Sequence, residues 1–348
     1  MLFQRPAAVP GVLFDSDMGV NIDSALALAV LYGAASKMKV VGITVTNPNF
    51  EAAAFCDVVA RFYTTGGKLN TTPLHYHFPI GYEGPGPSEA QGSGALVKTL
   101  AVKGPDGAPT FGVNVKDIND TAEVGVVVRN ALTAQKDGEA IMVSAGPATN
   151  LLRALSLGRN KELIAAKVGT LVVAAGDFSG NSVDARVKAD IASARRLFSD
   201  WPTPIVVVGK EVGAAMPFPG SSIATDFAWS PAHPVVEGYK AWKPMPYDAP
   251  SQAILAALYA TDIKGDLLKL SEPGQIEVLE DGRTKFTPSA SGRHRYLLAG
   301  SDSDWKAKVV KAFTTLASAR PAAPMGRGPR PQQQQLQAPQ QPAKPPQP

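Results

Sequence analysis

The sequence predicts an α/β fold: a mainly parallel open sheet with helices packed on both faces. Short aliphatic runs alternate with longer segments whose apolar residues recur at helical spacing. The strand-like runs are apolar without interruption, as strands covered on both sides require. Composition agrees, because 348 residues that are 45% hydrophobic and 18% charged suit one large globular domain or two small ones.

The elements follow in order. Gly11-Val12-Leu13-Phe14 reads as a short buried strand, and residues 24–31, apolar on nearly all sides, as a core helix. Residues 39–45 form a second strand and 52–63 a second helix; Cys56, inside that apolar pattern, reads as a buried structural thiol. Residues 71–120, rich in Gly, Pro and His, read as a lid or lateral loop. Residues 140–143 and 169–173 are further strands, with a helix from Asn150 between them. A helix over 189–199 leads through Trp201-Pro202-Thr203-Pro204 into a strand at 205–208, and 253–259 is a late apolar helix. Residues 1–10 read as an N-terminal extension, 11–318 as the folded domain, and 319–348 as a disordered Pro/Gln-rich tail with few apolar side chains to bury.

Several function classes are excluded. A net charge of +4, much of it in Arg320, Arg327, Arg330 and Lys344, gives no nucleic-acid footprint. No run of about 18 apolar residues is available to cross a membrane. The first eight residues lack a signal peptide's basic and apolar regions, so the expectation is cytoplasmic, or exported if a leader has been removed. One cysteine allows no internal disulfide.

In parallel sheets, ligands bind beyond the C-terminal strand ends. There the first strand runs into Asp15 and Asp17, then Gly19, then Asp23. Hard oxygen donors in one tight loop suit Ca²⁺ or Mg²⁺; equally, Asn21 or Asp23 could cap the next helix and Asp15 be a solvated loop acid. Ser144-Ala145-Gly146-Pro147-Ala148-Thr149-Asn150 follows another strand and turns sharply. Met245-Pro246-Tyr247-Asp248 places one more carboxylate before a helix, as ligand or cap.

Taken together these segments resemble the inosine-uridine preferring nucleoside hydrolase family. Residues 15 to 28 read DSDMGVNIDSALAL, similar to the family's DTDPGIDDALAL and to DTDMGNDIDDALAL of a longer-looped branch. The resemblance continues through Val45-Thr46-Asn47-Pro48-Asn49, Gly146 to Asn150, Lys188-Ala189-Asp190, Tyr247-Asp248, Leu270-Ser271-Glu272-Pro273-Gly274 and Gly292-Arg293-His294-Arg295-Tyr296-Leu297. It implies a Ca²⁺ ion holding a water and two ribose hydroxyls, with an aspartate deprotonating the water that attacks the anomeric carbon. By position it makes Asp17 the base and a metal ligand, with Ser24, the Thr149 carbonyl and Asp248 completing the ion's shell. Asp23, Asn47, Asp184 and Arg186 face the substrate, while Asp15, Asn21 and Tyr247 support. It also implies a dimer or tetramer.

Departures from the pattern are specific. Ser24 stands where an aspartate ligand is expected, Asn21 replaces another aspartate and Val20 an asparagine. Fewer ligand charges mean weakened or absent calcium. At Asp184-Ala185-Arg186-Val187 the family places Glu and Asn. Arg186 either turns to solvent, pairs with Asp184, or meets an anionic group on a modified substrate. Among the histidines, His75 and His77 read as surface or core residues, His233 as part of a loop that could close over a base, and His294 as structural. Two readings follow: hydrolysis of a ribonucleoside or related N-riboside to base and ribose, or a degenerate relative that binds a sugar, nucleoside or partner without turnover. A Rossmann oxidoreductase is excluded, since residues 15–24 contain a single glycine.

Overall fold

The structure is a computed structural model that describes residues 9–69, 78–84, 93–180 and 182–321. The strands are β1 (Gly11–Ser16), β2 (Lys39–Val45), β3 (Ile80–Tyr82), β4 (Ala140–Ala145), β5 (Val168–Ala174), β6 (Ile205–Val208), β7 (Gly274–Val278), β8 (Thr284–Pro288) and β9 (His294–Tyr296). Interleaved are α1 (Ile22–Gly33), α2 (Phe50–Thr64), α3 (Ser93–Leu100), α4 (Val124–Thr133), α5 (Thr149–Ser156), α6 (Asn160–Lys167) and α7 (Ala185–Ala189). The rest are α8 (Ile191–Asp200), α9 (Lys210–Ala215), α10 (Gly220–Thr225), α11 (Pro234–Trp242), α12 (Gln252–Thr261) and α13 (Ser303–Ala317).

The strands form one sheet in the order β3-β2-β1-β4-β5-β6-β9-β7-β8. It is parallel from β3 to β9 and turns antiparallel at the β7–β8 hairpin. Successive side chains of a strand face opposite ways, and here both faces are dry. Val12 and Phe14 pack with α1, α2, α11, α12 and α13, whereas Leu13 packs with α4, α5, α6 and α8. The two-sided sheet expected from the unbroken aliphatic strands is therefore present.

Three details differ from the sequence reading. The helix expected over 189–199 is α8, which begins two residues later where Asp190 caps it by accepting from Ser193 N at 3.0 Å, and the short α7 before it was not anticipated. Within the region read as irregular, Ile80–Tyr82 is an edge strand and Ser93–Leu100 a helix. The β7–β8 hairpin alternates buried Ile276 and Val278 with exposed Gln275 and Glu277, the strand period. His75, His77 and the tail beyond 321 lie outside the described residues. Among those described, no helix is long and apolar enough to cross a membrane. Cys56 is buried, as expected.

Candidate functional site

The acidic segment begins inside β1 and not in a solvated loop. Asp15 pairs in register with Thr44 on one side and Ser144 on the other. Its carboxylate accepts from the Thr44 hydroxyl at 2.7 Å, the Asn150 amide at 2.9 Å and the Ser144 hydroxyl at 3.1 Å. Burial pushes its pKa up to about 6, with these three donors opposing. Asp15 thus ties β1 to both neighbours and to α5.

Beyond β1 the chain turns sharply. Gly19 has φ +89°, a left-handed conformation suited to glycine, and Asn47 steadies the turn by donating to Met18 O at 2.7 Å. From β4, Gly146 closes in from the other side, where an added Cβ would lie 2.6 Å from Thr46 Oγ1 and 2.9 Å from Asp17 N. The turn delivers Asp23 and Ser24 to the first turn of α1 beside Asp17, and all three are buried. Asn21 holds the N-cap position, but its side chain makes no capping bond. Asp23 does not cap α1 either; its Oδ2 accepts from Ala253 N at 3.0 Å, joining α1 to α12.

Arg186 enters the middle of this cluster. Its Nε donates to Asp17 Oδ2 at 3.0 Å, and its Nη2 to Asp23 Oδ1 at 3.1 Å and Asp17 Oδ1 at 3.4 Å. Nη1 donates to Gln252 Oε1 at 3.1 Å. Arg186 is 5% exposed, so the solvent-facing orientation does not occur. Nor is Asp184 its ionic partner. Asp184 Oδ1 caps α7, accepting from Arg186 N at 2.9 Å and Val187 N at 3.3 Å, and this cap aims the arginine inward. Burial pushes Asp17 and Asp184 above the ordinary carboxylate range, with the Arg186 charge opposing. The same carboxylates push Arg186 up, against the cost of its own burial, so it remains a cation.

The remaining expected ligands have other partners. Asp248 is exposed, and its Oδ1 accepts from Gly220 N at 2.8 Å. Tyr247 stacks on Tyr239 with ring centroids 4.3 Å apart and donates to Tyr239 O at 2.6 Å. The α12 side chain that reaches the cluster is instead Gln252, whose amide nitrogen donates to Asp184 Oδ2 at 3.2 Å and Val208 O at 3.0 Å. Its signal was available in the sequence as an amide opening an otherwise apolar helix, where burial demands a partner. The Thr149 hydroxyl donates to Asp190 at 2.6 Å. His233 is core, not lid: it accepts from Val235 N at 3.2 Å, lies 3.1 Å from the Tyr63 hydroxyl, and is held neutral by burial, its pKa down to about 3. His294 is structural as read, accepting from Ile276 N at 2.9 Å.

Calcium requires six to eight oxygen ligands at roughly 2.3–2.6 Å. Here Ser24 and Gln252 are neutral, Asp248 is elsewhere, and a permanent cation sits between Asp17 and Asp23. A dication about 4 Å from that charge would be repelled by about 8 kcal/mol at an effective dielectric of 20. With Arg186 in place these residues do not fit a calcium ion. Among the described residues, no group of three or more His, Cys, Asp or Glu is arranged to hold a metal ion. Every carboxylate oxygen of Asp17, Asp23 and Asp184 already accepts from a donor of the chain itself and keeps a further lone pair for a second donor.

A family model described as inosine-uridine preferring nucleoside hydrolase matches residues 12–311. No curated protein matches the chain in sequence. Among solved structures the chain is similar to the plant nucleoside hydrolase PpNRh1, at 17% identity and a TM-score of 0.63, covering 89% of this chain and 99% of that one. It is similar to the inosine-uridine preferring nucleoside hydrolase from Bacillus anthracis at 16% identity and 0.61, covering 89% and 100%. It also resembles an inosine-guanosine nucleoside hydrolase at 15% identity and 0.64, covering 89% and 99%. At these identities the likeness to each structure is one of fold.

Proposed function

The chain belongs to the inosine-uridine preferring nucleoside hydrolase family, and from that premise we propose that it recognises N-ribosides without hydrolysing them through calcium. The observation that carries this reading is the state of Asp17. Both of its oxygens are engaged by the chain's own donors, Oδ2 by Arg186 Nε and Oδ1 by Ser24 Oγ at 2.9 Å. The Arg186 charge against Asp17 opposes its taking up the proton that a general base must abstract. Asp17 is bound to a buried cation, and no adjacent divalent ion can acidify a water for it.

Recognition is the function the remaining groups support. Asp23, Asn47 and Asp184, the positions the family directs toward the sugar, are buried and each is fixed by at least two hydrogen bonds. Fixed acceptors suit a vicinal diol, whose hydroxyls donate. Such preorganisation lowers the entropic cost of binding. A dimer or tetramer remains part of the proposal on family grounds, as does a folded unit over 11–318.

The test is calorimetric titration with inosine, uridine and free ribose, followed by chromatography of the recovered ligand. Saturable binding with the nucleoside recovered intact is expected. Absence of binding to any N-riboside sinks recognition, and ribose release that requires calcium sinks the non-hydrolytic part.

A further inference from the structure

Six oxygen atoms contact the Arg186 guanidinium. They are Asp17 Oδ2 at 3.0 Å, Asp23 Oδ1 and Gln252 Oε1 at 3.1 Å, Asp17 Oδ1 and Ser24 Oγ at 3.4 Å, and Ala174 O at 3.5 Å. A guanidinium has five N–H donors, and every one of its nitrogens is turned to an oxygen of the chain itself. The oxygens come from the turn after β1, the first turn of α1, the end of β5 and the first turn of α12. Four separate elements therefore converge on one positive charge at the C-terminal ends of the central strands.

We infer that Arg186 is a tethered cation standing in for a divalent ion, and that the oxygen cage around it is a latent divalent-cation site closed by the guanidinium. The charges support this. Asp17 and Asp23 bring two negative charges to the cage and Arg186 returns one positive, so a dication in its place would neutralise the cage. Six oxygens of mixed carboxylate, amide, hydroxyl and carbonyl type are a donor set suited to a hard cation. Arg186 is long enough to reach the cage only because Asp184 starts α7 at that point and directs the side chain inward. The arginine is thus a positioning residue for the floor of the site, performing the assembly that a bound ion would otherwise perform, and it needs no metal from solution. The inference shares with the preceding proposal only the exclusion of calcium from the wild-type cage; it stands whether or not an N-riboside binds.

The experiment is thermal unfolding of wild type, Arg186→Lys and Arg186→Ala, each in chelator and in millimolar CaCl₂, with calorimetric titration of calcium in parallel. Wild type and Arg186→Lys, which keeps the charge, are expected to melt at the same temperature in both buffers. Arg186→Ala leaves buried carboxylates uncompensated; it is expected to melt lower in chelator and to recover about 5 °C in calcium, as a ligand bound only by the folded state would give. A wild-type melting temperature that rises with calcium overturns the inference, as does an Arg186→Ala protein indifferent to calcium. Should Arg186→Ala be insoluble in both buffers, Ser24→Asp/Arg186→Ala, which supplies one further carboxylate, is measured in the same way. Calcium-dependent recovery of that protein supports the inference, and insolubility in calcium overturns it.

Discussion

Asp15 shows how one buried acid both holds the site and reports on it. Its pKa moves from an ordinary 3.8 up to about 6 on folding. Between those values the folded state binds more protons than the unfolded one, so the contribution is largest below about 4 and declines as pH rises through 6. Asp15→Asn removes that titration. From pH 4 to pH 7 the wild type is expected to lose about 3 kcal/mol relative to the variant, at about 1.4 kcal/mol per pKa unit. Urea unfolding across this range measures it, and parallel pH profiles would contradict it. The sequence showed which carboxylates gather here, because Asp15, Asp17 and Asp23 lie within nine residues at a strand end. It did not show what neutralises them. Arg186 is more than 160 positions away in the chain, and only the α7 cap reveals that it points inward. Asp248 was the visible acid before α12, yet the side chain one helical turn later, Gln252, reaches the cluster.

At the scale of elements, the sheet was legible because its central strands are unbroken aliphatic runs buried on both faces, and α1 and α12 because they are apolar all round. The β7–β8 hairpin lies between the segments 270–274 and 292–297 noted for their resemblance, and the alternation of Ile276 and Val278 between them went unused. The helix over 189–199 was legible as α8, but the five-residue α7 before it was too short for helical periodicity to register. The turns between strands and helices are set by close approach. Gly146 is one instance, since a methyl group there meets Thr46 Oγ1, Asp17 N and the Ser16 carbonyl carbon, at 2.6, 2.9 and 3.0 Å. Gly146→Ala is expected to push the Asp17 turn off β4 and cost about 1–3 kcal/mol, the usual penalty of overpacking. Chemical denaturation checks the loss. A neutral substitution would mean that the turn is looser than this packing.

Over the whole molecule, the cage joins both halves of the sheet's C-terminal rim. Asp17 and Asp23 come from the first βα unit, Arg186 from the segment after β5, and Gln252 from α12. A relative using calcium at this junction would gain stability and chemistry from the same ion. This chain retains the architecture and satisfies the junction with its own side chains, so its assembly is expected to be independent of metal. The most direct measurement is ribose release from inosine and uridine by the wild-type protein, in chelator and in calcium. No release in either buffer is the expected result. Release in calcium that the chelator abolishes would contradict the account, because it would require an ion at the position that Arg186 fills.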